Sequence, residues 1–154
     1  MEKILRKLFE EETLSENESR EVLHEIASGK HNHAHIASFL TVFLMRSITV
    51  NELKGFRQAL LDLAIKIDLS EFNSIDLCGT GGDGKNTFNV STAASFVVAG
   101  TGQKVAKHGN YGVSSISGSS NMLEHFGYRF SNNEDELKKQ IEKANICFLH
   151  APLF

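Results

Sequence analysis

The chain has 154 residues, 41% of them hydrophobic and 23% charged, with a formal net charge of -3. That length suits one ordinary domain or two small ones, and the balance is that of a packed soluble protein. The charge gives no basic footprint for nucleic acid and no cationic face for a membrane. No apolar run approaches the roughly 20 residues of a membrane helix, and the amphipathic start Met1-Glu2-Lys3-Ile4-Leu5-Arg6 lacks the core of a signal peptide. A cytoplasmic setting is expected. Cys78 and Cys147 stand in no metal-type spacing and read as reduced core or near-core thiols.

Residues 2–67 read as helices. Ile4, Leu5 and Leu8 begin one apolar stripe. Ser15 with Glu18 forms a capping-box signature, Val22, Leu23 and Ile26 follow at helical spacing, and Gly29 ends that helix. From His35 to Met45 the sequence is apolar almost all round, which predicts burial between helices or against a second subunit. Thr49 with Glu52 repeats the capping box, and Leu53, Phe56, Leu60, Leu63, Ala64 and Ile67 supply the next inward face. His31, His33 and His35 alternate, a spacing that gathers ligands only on a strand, and they read as a polar helix entry.

The grammar changes near residue 74. Only Gly29 and Gly55 precede Gly79, whereas glycine is dense after it. Ile75-Asp76-Leu77-Cys78 reads as a strand, 91–100 as a helix of small residues, Lys104-Val105-Ala106-Lys107 as a second strand, 119–126 and 133–144 as helices, and Ile146-Cys147-Phe148-Leu149 as a third strand. Strand, helix, strand, helix, strand is the pattern of a parallel α/β sheet. The fold class is therefore α/β: a small all-helical domain over 1–70, then a parallel-sheet domain over 71–154. Three strands are few for a sheet covered on both faces, so a truncated α/β domain with exposed apolar surface is expected.

Ligands of open α/β sheets bind beyond the carboxyl ends of the strands, and the loops there have a composition suited to phosphate. Gly79-Thr80-Gly81-Gly82-Asp83-Gly84 brings four glycines into six residues; it is neither a Walker loop nor a dinucleotide fingerprint, and it reads as an anion cradle or a plain turn. Asn89-Val90-Ser91-Thr92 opens a helix, where the hydroxyls either cap it or meet an anion at the positive dipole end. Ser91 is also a possible oxygen donor to Mg²⁺. Lys107-His108-Gly109-Asn110, with Val113-Ser114-Ser115 and Gly118-Ser119, offers a second anion site, against a solvated Lys107 and a structurally hydrogen-bonded His108 as the plainer alternatives.

In order and spacing these motifs resemble anthranilate phosphoribosyltransferase, and the helical segment resembles that family's N-terminal domain. The resemblance implies transfer of 5-phosphoribose from phosphoribosyl pyrophosphate to the anthranilate amino group, with Mg²⁺ and release of pyrophosphate. It implies that Gly79, Gly82, Asp83 and Thr87 line the ribose site. Asn89, Ser91 and Thr92 would hold phosphate oxygens, with Ser91 on the metal. Lys107, Ser115 and Ser119 would lie against phosphates, and Gly79, His108 and Asn110 nearer the anthranilate path. No residue is implied as a catalytic acid or base, and a homodimer through the helical domain is implied, with substrate in the cleft between the domains. The family pattern has Arg-Ser where Tyr111-Gly112 stands, and Ser-Ala-Asp where Ser119-Ser120-Asn121 stands. It also has an acidic pair and an arginine later than residue 154, so an incomplete fragment with little activity alone is expected. The competing readings are a non-catalytic phosphate-binding or dimerising fragment and a nucleoside phosphorylase; the base-binding pattern of the latter is not found.

Overall fold

Both capping boxes form. Ser15 Oγ accepts the Glu18 N–H while Glu18 takes the Ser15 N–H, and Thr49 and Glu52 repeat the exchange. These signals start two of the four helices of the first unit: α1 (Glu2–Phe9), α2 (Glu16–Ala27), α3 (His33–Met45) and α4 (Val50–Leu63). A computed structural model describes residues 1–79, 88–112 and 118–154 of the chain. These divide into two compact units, Met1–Ala64 and Ile65–Phe154.

The core of the first unit gathers Leu5, Leu8, Leu14, Val22, Phe39 and Val42. Beside it the rings of Phe39, Phe43 and Phe56 meet edge to face, with centroids 5.1, 5.4 and 6.0 Å apart, the arrangement the aromatic quadrupole favours. Gly29, at φ +73°, follows the end of α2. Of the apolar stretch in α3 only Phe39 and Val42 are buried within the chain; Leu44 is 87% and Met45 82% exposed. One sequence expectation needs correction. In α4 the buried residues are Glu52, Gly55 and Ala59, whereas Leu53, Leu60 and Leu63 are exposed. The cause is close helix packing: a Cβ at Gly55 would stand 2.2 Å from the Glu16 carbonyl oxygen of α2, so the small-residue face turns inward.

Glu52 is the polar hinge of this unit. Its buried carboxylate accepts from the Leu14 N–H at 3.0 Å, from the Thr49 N–H at 2.8 Å and from the Arg46 guanidinium. Burial pushes its pKa up, but Arg46 and the N–H donors of Leu14 and Thr49 outweigh it and hold the pKa at about 2.

The second unit holds α5 (Val90–Gly100), β1 (Val105–Gly109), α6 (Ser119–His125), α7 (Glu134–Ala144) and β2 (Ile146–His150). Strands β1 and β2 pair in parallel, Val105 opposite Ile146 and Gly109 opposite His150. On the other side of β1, Ile75 makes a single parallel bridge to Val105. The expected strand from Ile75 to Cys78 is thus cut to one pairing. Asp76 supplies the reason: its carboxylate takes the His108 N–H at 3.1 Å, and the Leu77 carbonyl turns to the Lys107 ammonium at 2.9 Å. Side chains have replaced the next ladder bonds. The sheet is covered on both faces, as parallel strands require. Ile146 and Phe148 pack with Ala99, Val105 and Leu123; the alternate residues Cys147 and Leu149 pack with Ala106, Leu137 and Ile141. Cys147 is buried as expected, but Cys78 is exposed. Burial pushes the Cys147 thiol up to about 12.

A carboxylate held at about 2 in the folded chain, against an ordinary value of 4.5, contributes stability that is fully present above about pH 4.5 and is lost as pH falls toward 2. Glu52→Gln should cost about 3 kcal/mol at pH 7, read from urea unfolding. Its unfolding free energy should also fall less steeply than the parent's between pH 5 and pH 3.

Candidate functional site

The carboxyl end of β1 places Lys107, His108 and Gly109 in succession. Lys107 is 1% exposed. Its ammonium donates to the Leu77 carbonyl at 2.9 Å, to Ser91 Oγ at 3.4 Å and to the His108 carbonyl at 3.5 Å. No carboxylate among the described residues lies within ion-pair distance of it. Burial pulls its pKa down, and Cys78 and Asp76 push partly back. This is not the solvated lysine that the sequence left open.

Ser91 joins three of the expected residues. Its Oγ lies 3.4 Å from the Lys107 ammonium and 3.4 Å from Asn89 Oδ1. A Cβ on Gly79 would approach that Oγ to 2.7 Å, so glycine is what lets the chain after Leu77 pass so close. Asn89 caps α5 through Oδ1, accepting the Thr92 N–H at 3.2 Å. Thr92 itself is fully buried, and its hydroxyl has no hydrogen-bond partner among the described residues.

A second cluster lies along the same loop. A Cβ on Gly109 would meet Ser119 Oγ at 2.3 Å, and that hydroxyl donates to the Asn110 carbonyl at 3.3 Å. His108 is held from Asp76: besides its backbone bond, ring Nδ1 lies 2.9 Å from Asp76 Oδ2. A carboxylate only accepts, so Nδ1 carries a proton toward Asp76. His108 therefore has the structural hydrogen bond of the plainer reading, with its ring still exposed.

The structure thus brings Gly79, Asn89, Ser91 and Lys107 together, and joins His108, Asn110 and Ser119 along one loop. The expected site residues Gly82, Asp83, Thr87 and Ser115 lie outside the described residues. Sequence reasoning missed Asp76, which orients His108, and missed Glu124 and His150, which meet Tyr111, and Ser120, which bonds His150 and the Asn110 carbonyl. Two signals were available: Asp76 stands just before the glycine loop, and His150 is a polar residue at the carboxyl end of an apolar strand, where ligands of such sheets bind.

A helical bundle followed by a parallel α/β unit, with polar loops crowding the strand ends, defines the class. Residues 2–64 match the glycosyl transferase family's helical bundle domain, and residues 71–154 match its a/b domain. The chain belongs to that glycosyl transferase family. It is 64% identical over 154 residues to anthranilate phosphoribosyltransferase of Flavobacterium johnsoniae and 61% identical to that of Christiangramia forsetii, covering all of this chain but 47% and 46% of those proteins. The crystal structure of anthranilate phosphoribosyltransferase from Thermus thermophilus superposes with a TM-score of 0.79 at 32% identity, over 97% of this chain and 46% of that one. The Saccharomyces cerevisiae enzyme in complex with PRPP and Mg gives 0.79 at 30%, with the same coverage. The chain spans about half the length of the relatives it matches.

A buried ammonium without a carboxylate partner costs stability. Because its folded pKa is depressed, that cost is greatest below the folded pKa and shrinks as pH rises toward the unfolded value. Lys107→Met should therefore unfold at an equal or higher urea midpoint at pH 7, by roughly 1 kcal/mol, with the difference narrowing at pH 10.

Proposed function

We propose that this chain carries the phosphoribosyl pyrophosphate-gripping part of an anthranilate phosphoribosyltransferase, which moves 5-phosphoribose to the anthranilate amino group in tryptophan biosynthesis. The observation that carries this reading is the buried Lys107 ammonium, held on carbonyl and hydroxyl oxygens beside Gly79 and the start of α5. An uncompensated cation in that setting is what a polyanion repays, and stability is commonly given up at such sites.

The residues suit the chemistry. Loss of pyrophosphate from C1′ leaves an oxocarbenium-like sugar, which an aromatic amine attacks without a strong base. Catalysis is then positioning and neutralisation of leaving-group charge. Lys107 supplies a point charge in a water-poor site, where it counts for more. Asn89, Ser91, Thr92 and Ser119 supply polar groups for phosphate oxygens, with Gly82, Asp83, Thr87 and Ser115 completing the loops. His108 and Asn110, with Gly79, face the acceptor path, and the Asp76 bond fixes the His108 tautomer.

Mg²⁺ fits this donor set. Among the described residues no group of three acidic, histidine or cysteine side chains is placed to hold a metal. Ser91 is the residue that would hold a hard cation here, through its neutral hydroxyl oxygen, as Mg²⁺ is commonly bound at phosphate sites with few protein ligands. Such an ion would supply neutralisation of phosphate charge.

The exposed Leu40, Leu44 and Met45 of α3 support a homodimer through the helical unit, since exposed apolar patches of this kind mark contact surfaces. A cytoplasmic setting goes with this reading; no helix among the described residues is long and apolar enough to cross a membrane.

Calorimetric titration of Mg·phosphoribosyl pyrophosphate tests the site. The chain should bind it, and Lys107→Met should weaken binding at least about tenfold, the worth of one charge-assisted hydrogen bond. Equal binding by parent and variant would sink the assignment. Sedimentation equilibrium tests the second element: Leu44→Glu should shift a dimer to monomer.

A further inference from the structure

The loop that leaves β1 is held by contacts that the lysine cluster does not use. The Asn110 carbonyl accepts the Ser120 N–H at 3.2 Å as well as the Ser119 hydroxyl. The Gly112 N–H donates to Asn121 Oδ1 at 2.9 Å, and the Tyr111 hydroxyl donates to Glu124 Oε1 at 2.7 Å. All four partners belong to α6. That helix is tied in turn to the end of β2: Ser120 Oγ and His150 Nδ1 stand 2.8 Å apart, and both residues are buried. The His150 ring stacks on Phe130 at 4.3 Å and meets Tyr111 edge to face at 4.9 Å. At Gly118 a Cβ would fall 2.1 Å from the Gly112 nitrogen, so loop and helix start touch backbone to backbone. Tyr111, Gly112, Ser120 and Asn121, where the sequence departs from the family pattern, are thus joined in one set of contacts. Gly112 and Asn121 are direct partners, and Tyr111 and Ser120 meet at His150.

We propose that Tyr111 and His150 are positioning residues, which clamp the loop bearing His108 and Asn110 between α6 and β2 in the form that takes the ligand. For the identity of that ligand the inference rests on the transferase reading; the clamp itself rests on the contacts alone. Holding the loop in one form removes an ordering cost that binding would otherwise meet. Tyr111 acts twice, through its hydroxyl on Glu124 and its ring on His150, so loop, helix and strand end move together or not at all.

Amide hydrogen exchange in the full chain tests this, read at Gly112 by NMR. Tyr111→Phe keeps the ring against His150 and deletes only the bond to Glu124, so folding is spared; Glu124→Gln weakens the same bond from the other side. Each should speed Gly112 exchange about five- to tenfold, as loss of one such hydrogen bond implies. The double variant should be no faster than the faster single, because the two share one interaction. The Leu137 and Ile141 amides of α7 should stay within about twofold, which separates a local clamp from a general loss of stability. Saturating Mg·phosphoribosyl pyrophosphate should slow Gly112 again in Tyr111→Phe, because a ligand that binds only the closed loop pulls the equilibrium back. Unchanged Gly112 exchange in both single variants, or a rise matched at Leu137, overturns the clamp. Faster exchange that the ligand does not slow, although the parent chain binds it, overturns the positioning role. A parent chain that binds no ligand counts against the transferase reading and the ligand half of the proposal, while the ligand-free comparison still decides the clamp.

Discussion

Taking an ammonium out of water is among the more expensive things a small protein does, and Lys107 is 1% exposed. Much of the second unit follows from making that tolerable. The Leu77 carbonyl leaves the sheet ladder to accept from it, so the strand after Ile75 is a single bridge. Ser91, at the start of α5, turns its hydroxyl the same way, which sets that helix beside the strand end. Gly79 has no side chain because one would collide with that hydroxyl. Three backbone decisions are coupled to one charge. The cost of burying that charge is what the anion of the proposed reading would offset.

The first unit treats its buried charge differently. Glu52 is enclosed too, but with the Arg46 guanidinium and two backbone N–H donors, and its pKa sits at about 2. It is a closed account: every lone pair that matters has a donor, and the group titrates well below neutrality. Lys107 has oxygens for partners and, among the described residues, no carboxylate at ion-pair distance, and burial moves its pKa toward the neutral form against the weaker pull of Cys78 and Asp76. Two buried ionisable groups in one chain thus show the contrast between a structural ion pair and a cation held on neutral oxygens. The difference lies in their partners, not in how deeply they are buried.

What could be read from the sequence was whatever local chemistry controls. The capping boxes at Ser15 and Thr49 depend on residues three apart, and both formed. The alternation of helix and apolar strand followed the same logic, as did the gathering of glycines and hydroxyls at strand ends. What could not be read depended on distant neighbours. The inward face of α4 is set by the close pass of α2 at Gly55, and periodicity gives no hint that leucines will be left outside. The shortened first strand is set by Asp76 bonding to His108, 32 residues away. The burial of Lys107 depends on the Leu77 carbonyl, 30 residues away. Apolar patterning places side chains on faces; it does not say which carbonyl will abandon a ladder for an ammonium.

The pairing of Ser120 with His150 carries this one step further. Each residue taken alone is unremarkable, a serine early in a short helix and a histidine closing a strand. Together they join two strand ends through α6, on the same edge where Lys107 stands. Burial pulls the His150 pKa down, with Glu124 opposing it, so the ring favours its neutral form, which can pair with a hydroxyl through Nδ1 without importing charge beside the lysine. A second buried cation at this edge would compete with Lys107 for any anion and repel it meanwhile. A neutral imidazole gives the loop a hydrogen-bonding anchor without adding charge beside the lysine. Position and charge are thereby supplied by different residues, and the loop is held without a second buried cation beside the lysine.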